Sequence, residues 1–145
     1  MGRAFASPRV ARGAAYGDIN NDGTLDVLVS TNGGPAALFK NTGATNHSLR
    51  IKLVGTKSNR DGLGATVRVT NGSDTQAKML TSGGSYLSSS ELILTFGLGD
   101  HAKADVIEIR WPSGQADHAN NVPADQIITV KEGSAIIAAA PLAKR

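Results

Sequence analysis

Residues 48–54 read SLRIKLV, with Leu49, Ile51 and Leu53 on one side of an extended chain and Arg50 and Lys52 on the other. Side chains alternate across a strand with a period of two, so this spacing predicts a half-buried β-strand. The same alternation recurs downstream. In ATVRVT (65–70), Ala65, Val67 and Val69 oppose Thr66, Arg68 and Thr70. Leu92, Leu94 and Phe96 alternate in ELILTF, as do Ile107, Ile109 and Trp111 in VIEIRW and Ile128 and Val130 in QIITVKE. Asn71-Gly72 gives a type I′ hairpin signal before the returning run TQAKMLT (75–81). Short strands separated by turns predict an all-β fold, an antiparallel sandwich or barrel. No segment before residue 134 sustains a helical period.

Composition agrees. The chain has 145 residues and 17 glycines, which favours many tight turns in one domain with a small appendage. Aromatic residues make up only 4%, so Val, Ile, Leu and Ala must fill the core. The absence of cysteine removes disulfides, thiolate metal sites and thiol nucleophiles together. A net charge of +3 lies largely near the ends, at Arg3, Arg9, Arg12, Lys144 and Arg145. It forms no stripe interleaved with aromatics, so no nucleic-acid partner is expected. The segment MGRAFASPRV lacks the apolar centre of a signal peptide. The longest apolar stretch, 135–140, is too short to span a membrane. A cytoplasmic protein, or a piece of a longer exported one, fits both observations.

Upstream of the alternating runs lies DINNDGTLD, residues 18–26. Asp18, Asn20, Asp22 and Asp26 take its first, third, fifth and ninth positions, and Thr24 offers a backbone carbonyl at the seventh. Oxygen ligands at that spacing suit a hard cation of six to eight ligands, calcium before magnesium. Gly23 permits the sharp turn that convergence needs. Crowded carboxylates repel unless neutralised, which favours a cation over a bare Asn/Asp/Gly turn. An EF-hand is excluded, because its twelfth position is Val29 here and LDVLVST (25–31) reads as a strand. Asn32-Gly33-Gly34-Pro35 reads as a turn, Ala36–Lys40 as a partner strand and Asn41–His47 as a boundary.

These residues carry two resemblances. GAAYGDINNDGTLDVLVS (13–30) resembles one FG-GAP/VCBS repeat, the calcium-loop unit of integrin-type β-propellers. The repeat's aspartate pattern falls on Asp18, Asn20, Asp22 and Asp26. A propeller needs several four-stranded blades, and this is one partial blade, a propeller-like β-hairpin. The remainder resembles the ASPIC/UnbV domain that follows such repeats in relatives of cartilage acidic protein, bacterial ones included. The matching stretches are NHSLRIKLVGTKSNRDGLGATVRV (46–69), SGGSYLSSS (82–90), LTFGLGD (94–100), VIEIRWPSG (106–114) and NVPADQIITV (121–130). The resemblance implies an exported β-rich module with no established catalytic activity. It divides the chain into a partial repeat (1–43), a β-domain (44–132) and an Ala-rich tail (133–145) that a strand end, a short helix or disorder would all fit.

The remaining motifs read mainly as structure. Asn59–Gly64 is a polar glycine loop with turn chemistry. GLGD is too short for a phosphate loop and lacks its lysine. Trp111 shares a face with Ile107 and Ile109, as a core residue would. Tyr86 amid serines, with Trp111, is the weak candidate for a glycan-binding face. His47, His101 and His118 lack metal-ligand spacing, and Ser85 is not in a G-x-S-x-G elbow. The expectation is therefore a non-enzyme: a calcium-binding extracellular or envelope module for adhesion or contact with a protein or glycan partner. The alternatives are a carbohydrate-binding module and the cap of a larger propeller with further repeats upstream. Asp100, His101 and Asp105 would support a hydrolase only by converging in a cleft.

Overall fold

The computed structural model describes residues 3–42 and 46–143. Apart from a 3-10 turn at Arg3–Ala6, its regular structure is all β. The strands are β1 (Ala11–Gly17), β2 (Asp26–Thr31), β3 (Ala37–Phe39), β4 (His47–Val54), β5 (Thr66–Asn71) and β6 (Asp74–Met79). They continue with β7 (Ile93–Gly99), β8 (Lys103–Arg110), β9 (Ala116–Pro123), β10 (Gln126–Lys131) and β11 (Ile136–Pro141).

Two four-stranded sheets, ordered β11-β10-β4-β7 and β6-β5-β8-β9, form a sandwich. The third sheet is the antiparallel β1-β2-β3. No closed barrel forms, which decides between the two architectures the alternation allowed. The core lies between the four-stranded sheets and takes the inward members of each alternating run. Leu49, Ile51, Val67, Val69, Phe96, Ile107 and Ile128 are all fully buried. Burying a side chain of this size contributes about 1.5–3 kcal/mol, so aliphatic residues build the core without help from many rings.

One pair departs from an all-antiparallel arrangement. β10 runs parallel to β4, with Ile128 opposite Ile51 and Val130 opposite Leu53. Alternation fixes which face a residue takes but says nothing of strand direction. The β5–β6 hairpin also differs from expectation. Gly72 has φ 59° at the first central position, while Ser73 is not left-handed. That is a type II′ turn, not the expected type I′.

Three strands lie outside the sequence-based strand list. β1 (ARGAAYG) has no apolar alternation, and β9 (ADHANNVP) buries only Val122. The tail contains β11, antiparallel to β10, so of its three possibilities the strand is the one realised. Gly13 in β1 is required by close approach: a Cβ there would lie 2.2 Å from Ser88 Oγ. The expected boundary at Asn41–His47 falls partly outside the described residues, and His47 itself opens β4.

Candidate cation loop and its buried arginine

The loop joining β1 to β2 carries the sequence-predicted ligands. Asp18 and Asp26 are 7% and 2% exposed, and Thr24 is buried. Asp18 turns the chain on itself: its Oδ1 accepts the Asp22 N–H at 3.1 Å and its Oδ2 the Gly23 N–H at 2.8 Å. Asp22 Oδ1 accepts the Thr24 N–H at 2.9 Å, and its Oδ2 accepts the Asn20 amide at 3.0 Å. Asp26 accepts the Ile19 N–H at 3.2 Å and the Asn41 N–H at 2.8 Å. Asn21 and Gly23 take positive φ, 56° and 85°, which Asn and Gly tolerate best. Sequence-local hydrogen bonds therefore hold much of the loop's shape.

Arg50 faces the opposite side of β4 from Leu49 and Ile51, where alternation predicts solvent. It is instead 1% exposed, because the loop and the 85–91 segment cover that face. Its Nη1 lies 3.2 Å from Asp18 Oδ2 and donates to Asn21 Oδ1 at 2.9 Å, while its Nη2 pairs with Glu91 Oε2 at 2.5 Å. One guanidinium thus ties three segments distant in sequence. Further bonds rivet the same junction. Glu91 N–H donates to the Tyr16 carbonyl at 3.1 Å, Ser85 and Ser90 hydroxyls accept the Ala14 and Tyr16 N–H groups, and Ala143 N–H donates to the Asn21 carbonyl at 2.7 Å.

The charges do not balance here. Asp18 and Asp26 are buried and Glu91 is half-buried, whereas among the described residues Arg50 pairs only with Asp18 and Glu91. Asp26 has backbone donors and, among the described residues, no ion pair. Buried charges are strongly unfavourable unless paired or hydrogen-bonded, and here the acidic groups outnumber the one guanidinium. The donor chemistry fits a calcium ion: every candidate ligand is oxygen, and Asn20 keeps its carbonyl oxygen while its NH₂ donates. The cage is not closed. Among the described residues no three His, Cys, Asp or Glu side chains converge tightly enough to hold a metal as they stand, because the carboxylates point at backbone amides.

The two weaker candidates are not brought together as one binding face. Trp111 is 4% exposed, and its indole N–H donates to Asp117 Oδ2 at 2.7 Å. Tyr86 is 67% exposed beside Leu87, which is 90% exposed with φ 45°. The histidines meet different partners: His47 lies 2.6 Å from Asp125, and His118 lies 4.0 Å from Glu108. Asp105 is taken up by the Gly72 N–H at 2.8 Å and Lys103 at 3.2 Å. These bonds, the Gly72 N–H first, hold its carboxyl below the usual range.

A second carboxylate escaped sequence reasoning. Glu132 follows β10 and is 3% exposed. Its Oε2 accepts the N–H groups of Thr56, Lys57 and Ser58 at 2.7, 2.8 and 2.8 Å, while Oε1 accepts the Ser58 and Ser113 hydroxyls. Three successive amides converging on one oxygen make an anion nest, already filled by the protein's own carboxylate. Burial alone would raise its pKa, but the bonds from Ser113, Ser58 and Thr56 outweigh it and hold the group far below the ordinary carboxylate range.

The molecule is thus an all-β sandwich carrying a small antiparallel sheet, clamped to it by a buried ion pair beside an acidic loop. The family model described as ASPIC and UnbV matches residues 55–137, more than half of the chain. The chain belongs to that family. The match begins after β4 and reaches into β11. No curated protein matches the chain.

Proposed function

We propose that the chain is a non-catalytic interaction module of an exported protein, in which residues 18–26 form a calcium-stabilised loop of a single FG-GAP/VCBS-type repeat. The buried carboxylate of Asp26, held by amides and without an ion pair among the described residues, supports this reading. Asp18, Asn20, Asp22 and Asp26 side chains and the Thr24 carbonyl would hold the ion. Calcium would supply the charge that Arg50 alone does not. The protein's own residues set the loop's turn and fix β1 and β2 to the sandwich. Its working contact is protein–protein adhesion in an extracellular or envelope setting.

One observation favours a second reading, a cap on a larger β-array. Leu28 and Leu38 are register partners on one face of the small sheet and are 47% and 55% exposed. Neighbouring apolar side chains left in water suit packing against further sheet. Burial of Trp111 speaks against a carbohydrate surface built on that ring.

In chelated protein, adding about 10 mM calcium raises the thermal midpoint. For a loop binding at roughly 10⁻⁴ to 10⁻³ M, mass action gives about 1.4–2.7 kcal/mol, a rise of several degrees. The Asp22→Ala variant loses that rise. Titration calorimetry showing no heat, with an unmoved midpoint, sinks the cation reading.

A further inference from the structure

The outer face of the β6-β5-β8-β9 sheet carries a polar quartet. Thr66 and Arg68 on β5 stand opposite Arg110 and Glu108 on β8, and the four line a surface cleft of about 200 Å³. The arginines occupy one diagonal of the square. The hydroxyl of Thr66 and the carboxylate of Glu108 occupy the other. Both guanidiniums have room, since Ala77 neighbours Arg68 and Ala116 neighbours Arg110 across the adjoining strands.

Their charges are poorly spent within the protein. Arg68 reaches Glu108 only at 3.9 Å, and Glu108 is shared with His118 at 4.0 Å. Arg110 is exposed and has no ion-pair partner among the described residues. A planar guanidinium presents paired N–H donors that match a carboxylate or sulfate. Acceptors beside it suit hydroxyl donors. A ligand that places an anionic group next to hydroxyls satisfies both diagonals at once. No aromatic ring lines the cleft, so it offers no stacking platform for nucleic-acid bases. The polar surface continues along the same face through Thr70 and its partner Thr75 and resumes at Asn120 on β9 beyond Val106 of β8, a length that suits an oligomer better than a lone ion.

We propose that this face binds a segment of acidic polysaccharide, with a sugar carboxylate held between Arg68 and Arg110 and sugar hydroxyls donating to Glu108 and Thr66. It is separate from the 18–26 loop and independent of calcium.

The test is titration of the full chain with trigalacturonate at low salt, followed by calorimetry and amide chemical shifts, with maltotriose and inorganic sulfate as comparisons. Trigalacturonate binds, shifts concentrate on β5 and β8, and Arg68→Ala and Arg110→Ala each weaken binding about tenfold, the scale of one charge-assisted contact. Arg110→Lys keeps the charge but loses much of the affinity, because the bidentate fork is gone. Both positions are exposed, so thermal midpoints stay at the wild-type value. Absence of binding at millimolar ligand overturns the proposal. So does unchanged affinity in Arg110→Ala, or binding of maltotriose or sulfate as tight as that of the acidic trisaccharide.

Discussion

Arg50→Met lowers the thermal midpoint by roughly 10 °C. The methionine fills similar volume but leaves Asp18 and Glu91 buried beside an apolar side chain. Removing one partner of a buried pair costs about 3–5 kcal/mol, and each kcal/mol moves the midpoint of a domain this size by about 2–4 °C. The loss falls first on the junction: hydrogen exchange rises in β1 and β2 more than in β5 and β8. Adding Glu91→Gln to the variant recovers part of the loss, because one of the two stranded charges is removed. A midpoint within about 2 °C of wild type, a shift typical of surface changes, would show that the guanidinium contributes little.

Glu132→Gln is expected to be of the same order. A neutral amide keeps one acceptor oxygen but turns an NH₂ group towards the Thr56–Ser58 amides or the Ser58 and Ser113 hydroxyls. The sign of the pH dependence follows from the depressed pKa. In the unfolded chain the group titrates near 4.5, and in the folded chain well below that. Its stabilisation is therefore complete above the unfolded value and drains away as pH falls below it towards the folded value. Wild-type protein loses stability on acidification below about pH 4.5, and the variant, already destabilised, shows a flatter slope there. Chemical denaturation at pH 7, 4 and 3 measures both. Parallel slopes for the two proteins would remove Glu132 as the cause.

Much of the sandwich was legible because its physics is local. The inward residues of SLRIKLV, ATVRVT and VIEIRW follow a period of two, and those residues are the core. The loop's turn is local in the same way, since Asp18 and Asp22 accept amides two to five residues away, although Asp26 also reaches the Asn41 N–H fifteen residues on. What stayed hidden depends on tertiary contact. Arg50 sits at an outward position of a half-buried strand, and only the covering loop and the 85–91 segment make it interior. Glu132 looks like any strand-end glutamate until the 56–58 amides converge on it. β9 escaped because an edge strand with polar side chains on both faces has no periodic signal. Trp111 and Tyr86 share aromatic character in sequence, yet one is spent on packing and the other on the surface.

The parallel strand governs the order in which the molecule is built. β4 acquires its second neighbour only when β10 arrives, and Ser48 meets Asp125 across 77 residues. Closing so long a stretch of chain must precede most of the reward from the pairing, which slows folding. A growing polypeptide will have displayed the whole acidic loop, with Arg50 beside it, well before that sheet can close. The loop's early neighbours are then water and ions. On the proposed calcium reading, the ion would shape the β1–β2 hairpin before the sandwich exists to receive it.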